Sequence, residues 1–332
     1  MFLHKDLYRK AFIDPVLERG MQNLTIISGF GYPSMAYQHL TDLEKEDINL
    51  KLAVGMGVQK PDKMGFTRIE NTFEGRFSCF VLPSGFKTHS KIYQWDNDQG
   101  QIETFIGSAN YSRTALFDRY QQNEVLYKVR DSSVVSIKAY ISELYNNTIP
   151  ISESVVEETD PRILDNETID TNLELPNGGC IDLPPRNGLP GVRQSLLDRS
   201  GSLPERSGLN WGNRPELNRQ PSEAYIKVSA TLQRKNFLPH TKGEHFLMQD
   251  MHDENFIFIA ATAGGGSFIN ADGTKGPKQI ESHEDNTIIG KFFRRKLNLN
   301  EDSIVKKEDL LRYGKTYIDI YKINDETYLI DF

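Results

Sequence analysis

Five side chains within one stretch of the 332-residue chain are of types that together could carry a reaction: His89, Lys91, Ser108, Asn110 and Glu124. The segment Thr88-His89-Ser90-Lys91-Ile92-Tyr93-Gln94-Trp95-Asp96 reads as a strand. Alternate residues of a strand share a face, so His89, Lys91, Tyr93 and Trp95 point one way. An imidazole and an ammonium two positions apart make an anion site with a nucleophile in it, because histidine is largely neutral near pH 7 yet readily protonated. Ile106-Gly107-Ser108-Ala109-Asn110 follows, a strand end delivering a hydroxyl and an amide where donors can hold phosphate oxygens. Glu124 opens the next strand, and a carboxylate there can accept from His89 Nδ1–H, fixing the tautomer and raising the nucleophilicity of Nε2. The set describes a phosphodiester site that needs no metal and no cofactor.

Taken singly, His89 and Lys91 are an ordinary solvated strand face, and Ser108 and Asn110 are ordinary turn residues. Their order and spacing, with a following Glu, carry the functional reading. The other histidines (His4, His39, His240, His245, His252 and His283) show no His-x-x-x-His or Cys partner spacing, so no metal site is expected.

The elements that must hold these residues alternate between strand and helix. Leu24–Gly29 and Leu50–Gly55 read as buried strands ending in glycine, and Arg76–Leu82, Glu103–Ile106 and Glu124–Val129 as further strands. Val134, Ile137, Ile141 and Leu144 recur at helical spacing and close the domain with an amphipathic helix. An α/β domain over residues 1–150 follows. Residues 151–212 are acidic and then Pro/Gly/Asn-rich, and read as a linker. Residues 213–332 read as a small strand-rich domain suggesting a barrel. Its strands fall near Tyr225–Val228, His245–Met248, Phe256–Ile259, Tyr317–Ile320 and Thr327–Ile330. Its helices are Ile289–Leu297 and Lys307–Tyr313, the second stopped by Gly314.

The net charge of −7 at first argues against a nucleic-acid partner, but residues 1–150 balance 17 basic against 17 acidic side chains. The excess sits in residues 151–180, where Arg162 stands alone against eight carboxylates, so basic surfaces remain open to both domains. No apolar run is long enough for a membrane helix, no signal peptide opens the chain, and two cysteines make no disulfide framework. A cytoplasmic protein with no membrane partner is expected.

His89-x-Lys91-x-x-x-x-Asp96 followed by Gly107-Ser108-Ala109-Asn110 resembles the phospholipase D superfamily, whose two half-motifs meet in one active site. Asn97-Asp98-Gln99-Gly100-Gln101 lengthens the turn between them. Only one copy is present: neither His240 nor His245 is followed by the pattern, so a site with two histidines has to form between two subunits on a two-fold axis. A closer resemblance takes in nearly the whole chain. The single-copy domain, Gly208-Leu209-Asn210-Trp211-Gly212-Asn213-Arg214-Pro215, Ala224–Val228 and Asp309–Thr316 are similar to the NgoFVII-type restriction endonucleases.

That resemblance implies a phospholipase-D-like α/β nuclease domain with a mixed sheet, followed by a β-rich pseudobarrel DNA-binding domain of B-three type. It implies metal-independent cleavage of double-stranded DNA at or near a short sequence by a homodimer, with a helicase-like ATPase subunit as a partner that some relatives use. His89 would attack phosphorus and the second subunit's copy of the same histidine would protonate the leaving oxygen. Lys91 and Asn110 would hold the equatorial oxygens, Ser108 would support the phosphate, Glu124 would orient the histidine and Asp96 would brace the turn.

In the second domain, Arg214 and Arg219 lie in a Pro- and Asn-rich loop, Lys275 and Lys278 lie in the glycine-rich stretch 264–277, and Arg294, Arg295 and Lys296 lie on a helix opposite its apolar face. Arg suits the reading of base edges and Lys suits phosphate. Gly264-Gly265-Gly266 lacks the Gly-Lys-Ser/Thr of a nucleotide loop. Three rivals share the site chemistry. A lipid phosphodiesterase would need a membrane approach, a vestigial DNA binder would have lost part of the motif, and a nonspecific nuclease would have no use for the second domain.

Overall fold

The computed structural model describes residues 1–120, 122–130, 133–155, 173–235, 237–239, 241–253, 255–266, 269–270, 273 and 275–332. The chain divides into two compact units, Met1–Asp160 and Pro161–Phe332.

The first unit is built on an eight-stranded mixed sheet. Its strands are β1 (Phe2–Leu3), β2 (Asn23–Ser28), β3 (Asn49–Val54), β4 (Phe77–Val81), β5 (Lys91–Asp96), β6 (Ile102–Gly107), β7 (Leu126–Lys128) and β8 (Ile149–Pro150), in the order β1-β7-β6-β5-β2-β3-β4-β8. β2, β3 and β4 run parallel, while β5 is antiparallel to both β2 and β6. Strand alternation divides the side chains between two faces. Ile27, Ala53 and Ile92 pack under helix α3 (Ser133–Tyr145) through Ile141 and Leu144, as the helical spacing predicts. The opposite face carries Tyr93 and Trp95, both fully buried, against Phe12 and helix α1 (Pro33–Asp42). α1 in turn packs on helix α2 (Lys60–Thr72).

The second unit holds another eight-stranded sheet: β9 (Cys180–Arg186), β10 (Leu189–Ser195), β11 (Ile226–Lys227), β12 (His245–Asp250), β13 (Ile257–Ala263), β14 (Gln279–Ser282), β15 (Tyr317–Asn324) and β16 (Thr327–Asp331). Their order is β11-β14-β13-β12-β16-β15-β10-β9, with only the β12–β16 pair parallel. One core gathers Val192, Phe246, Phe258, Ile280, Ile318, Ile320 and Ile330 from the sheet with Ile289, Phe292 and Phe293 of helix α4 (Thr287–Lys296). Helix α5 (Lys307–Tyr313) stops where expected, at Gly314 with φ 97°.

Residues 176–212 do not form the second half of a linker, because they contain the β9–β10 hairpin. Pro184 and Pro185 fit because β9 is an edge strand and its register with β10 shifts between Leu183 and Arg186, so one missing N–H falls on the open side and the other at the irregularity. The turn is Asn187-Gly188 with φ 52° and 79°, the residue pair that a two-residue hairpin turn demands. The acidic half of that segment falls largely on residues 156–172, outside the described residues. Among the described residues no helix is long and apolar enough to cross a membrane. Both cysteines are free and buried.

Candidate active site

β5 brings the first half of the site into place. Its register pairs Lys91 with Ser28 at the end of β2 and Ile92 with Ile106 on β6. Tyr93 and Trp95 anchor the strand: Trp95 Nε1 donates to the Ala11 carbonyl at 2.8 Å, and Tyr93 Oη donates to the Ala109 carbonyl at 2.6 Å. The Tyr93 bond ties β5 to the residue between Ser108 and Asn110, so the fold joins the two halves through a buried phenol. The strand expected from His89 begins instead at Lys91, because its partner β2 ends at Ser28 and leaves residues 88–90 without a ladder. His89 is exposed, whereas Lys91 is buried.

Lys91 Nζ lies 2.6 Å from His89 Nδ1 and 2.7 Å from the His89 carbonyl. An ammonium can only donate, so Nδ1 accepts and the neutral imidazole carries its proton on Nε2. Burial lowers the Lys91 ammonium from its ordinary value, and the Glu124 carboxylate opposes that shift. The bond expected between Glu124 and His89 is therefore not the one made. Glu124 instead accepts from the Ser108 hydroxyl, which in turn accepts from Val125 N at 3.1 Å. The reason lies in the pairing of β6 with β7, which sets Ser108 beside residues 124–125. Gly107 makes this approach possible, since a Cβ there would stand 2.0 Å from the Val125 carbonyl oxygen.

Asn110 is oriented from a segment the sequence reading did not single out, the turn Ser28-Gly29-Phe30-Gly31 that follows β2. Phe30 N donates to Asn110 Oδ1 at 3.2 Å, which leaves the amide nitrogen as the donor for a ligand. Ser28 Oγ donates to the Phe30 carbonyl at 2.6 Å and accepts from Tyr111 N at 2.9 Å. A Cβ on Gly29 would lie 3.3 Å from His89 Cδ2 and 3.4 Å from Asn110 Oδ1, so these two side chains meet over that glycine. The available signal was the strand ending in Gly-x-Gly at the same sheet end as the histidine. His89, Lys91, Ser108, Asn110 and Glu124 thus form one linked constellation. Beside Lys91 and Gly107 a concavity of about 530 Å³ opens, walled largely by Ile92, Ile106, Val125 and Ile137.

Two models of one family match the chain: the NgoFVII restriction endonuclease N-terminal PLD domain over residues 5–158, and the NgoFVII C-terminal B3-like DNA-binding domain over residues 186–324. The chain belongs to the NgoFVII restriction endonuclease family. The NgoFVII pairing makes it a DNA-cleaving hydrolase, with a phospholipase-D-type domain in front of a DNA-binding domain. Among solved structures the chain is similar to NucT from Helicobacter pylori, at 13% identity over 45% of this chain and 97% of that one, with a TM-score of 0.33. It is also similar to Nuc, a phospholipase D family member from Salmonella typhimurium (15% identity, 39% of this chain and 81% of that one, TM-score 0.30). A polyphosphate kinase from Porphyromonas gingivalis is matched over 46% of this chain and 22% of its own length, at 16% identity and a TM-score of 0.31. No curated protein matches the chain in sequence.

The seven cations singled out in the NgoFVII B3-like domain fall into different settings, and Lys296 pairs with the buried Asp250 at 2.7 Å. Arg294 does not face outward. It is 1% exposed, and its guanidinium donates to the carbonyls of Ser303, Gly290, Leu209 and Pro221 at 2.8–3.3 Å, so it pins the core. The apolar stripe of α4 is wide enough to enclose the position that helical spacing placed at its border. Arg295 is exposed, with its guanidinium 5.3 Å from the Phe256 ring. Arg219 stacks on Trp211 at 3.7 Å and pairs with Glu223 at 2.6 Å, while Arg214 Nε donates to the Arg206 carbonyl at 2.9 Å. Lys275 and Lys278 are exposed. Neighbouring residues of the glycine-rich stretch (267, 268, 271, 272 and 274) lie outside the described residues.

Proposed function

We propose that this NgoFVII-family chain is a restriction endonuclease that hydrolyses double-stranded DNA at or near a short sequence without a metal, through a phosphohistidine on His89 and with an active site shared by two subunits. The observation that carries this reading is the convergence of His89 and Asn110 over Gly29, with the Lys91 ammonium on the imidazole.

Nε2 of one His89 attacks phosphorus in line, forming the N–P bond as the bond to the leaving deoxyribose oxygen breaks. The second subunit's copy gives that oxygen its proton and then takes one from the water that attacks the phosphohistidine. Lys91 and the Asn110 amide nitrogen hold the equatorial oxygens in the transition state. The resting contact with Lys91 occupies Nδ1 as an acceptor, so the acid partner must also release Lys91 and carry protons on both nitrogens, giving up the Nε2 proton as imidazolium and returning to neutral imidazole. In the attacking copy, a bound phosphate draws Lys91 onto its oxygen and frees Nδ1 to hold the proton instead. Glu124 holds the Ser108 hydroxyl and balances Lys91. The apolar concavity beside Lys91 suits contact between two copies of the domain, and Arg214, Arg219, Lys275, Lys278 and Arg295 serve DNA from the second unit.

The test is incubation of the purified protein with a large unmethylated plasmid in EDTA, followed by sequencing of the ends. Discrete fragments sharing a nearby motif, lost in His89→Ala while DNA binding persists, are the expected result. A smear removes the sequence specificity, and cutting that His89→Ala leaves intact removes the mechanism.

A further inference from the structure

Phe30 stands at the mouth of the site described above. Its ring is 41% exposed, one of the larger exposed apolar groups of the chain, and lies edge-to-face with the His89 imidazole at 5.9 Å and 83°. Its backbone is held on both sides, with its N–H on Asn110 Oδ1 and its carbonyl on the buried Ser28 hydroxyl. Gly29 offers no side chain, so Phe30 is the group of this turn that projects beside the imidazole. A ring fixed at the backbone and set next to the imidazole offers apolar surface that a bound substrate can cover.

We propose that Phe30 is a substrate-contacting residue that packs against the nucleoside flanking the scissile phosphate. The inference rests on the phosphodiesterase reading of the site. A phosphate within reach of His89 and Asn110 carries a deoxyribose on either side, and the Phe30 ring is the apolar surface next to the imidazole for that nucleoside to cover. Aromatic packing of this kind is lost on truncation by about fivefold to a hundredfold.

Two small diesters separate this role from mere support of the imidazole. Thymidine 5′-(4-nitrophenyl phosphate) carries a nucleoside, and methyl 4-nitrophenyl phosphate does not. The readout is the ratio of their kcat/KM values in EDTA. Phe30→Ala is expected to lower that ratio by about fivefold or more, and Phe30→Tyr to restore it. A ratio left unmoved by Phe30→Ala, whether both rates fall together or neither does, overturns the proposal while the phosphodiesterase reading stands. A wild-type protein that hydrolyses neither diester and leaves plasmid DNA uncut in EDTA overturns that reading, and the proposal with it.

Discussion

His39 should make the first unit acid-sensitive in a way a single substitution can isolate. It lies on α1, fully buried, with Nδ1 2.9 Å from the Tyr111 hydroxyl and the rings of Phe12 and Trp95 edge-on at 5.4 and 5.9 Å. Burial pushes its pKa down to about 3, with the Phe12 carbonyl opposing. The unfolded chain takes the same proton near 6.5 and therefore binds more protons than the folded one between pH 6.5 and 3. Stability due to this group is fully present above 6.5 and falls as pH drops through that window. From pH 7 to pH 4.5 the loss is about 2.5 kcal/mol for this residue alone. The assay is urea unfolding of a Trp211→Phe protein, in which Trp95, in ring contact with His39, is the sole tryptophan reporter. His39→Gln removes the titration. Carboxylates titrate alike in both proteins, so the difference in pH dependence belongs to His39. Unfolding free energies that fall equally in both proteins between pH 7 and 4.5 would refute the reasoning.

Other consequences follow from single contacts. Arg294→Met leaves four carbonyls short of a donor and should cost the second unit about 3 kcal/mol or more, read as a lowered urea midpoint. Arg295→Ala should leave that midpoint in place and weaken DNA binding with a shallower salt dependence. Asp319→Asn strips the buried Arg193 guanidinium of a partner bonded at 2.8 Å through two nitrogens and should cost about 3–5 kcal/mol. Gly107→Ala places a methyl group 2.0 Å from the Val125 carbonyl oxygen, which must push Ser108 and Glu124 apart. Cleavage should fall by about a hundredfold or more while circular dichroism changes little.

Much of this was legible in the sequence because periodicity and residue type speak directly. The alternation in 91–96 put Lys91, Tyr93 and Trp95 on one face, and the spacing of Ile141 and Leu144 put α3 on the other. What stayed hidden were contacts made across the sheet. Glu124 meets Ser108 rather than His89 because of how β7 pairs with β6, a register that no local pattern encodes. The turn after β2 supplies the Asn110 partner from 80 positions away. Arg294 shows the limit of helical arithmetic, since a cation at the edge of an apolar stripe is turned inward when the carbonyls of Ser303, Leu209 and Pro221 wait there. The β9–β10 hairpin was masked by its prolines, although Asn187-Gly188 marked its turn.

The central claim is that His89 becomes covalently attached to the cut strand. Quenching a cleavage reaction in alkali, where phosphohistidine survives, and mass analysis of the peptide containing His89 tests it most directly. The account predicts a nucleotide adduct on His89 in the wild-type protein and none in His89→Ala. DNA cut in EDTA with no adduct on that peptide at any time, and with inversion rather than retention at phosphorus, would contradict it.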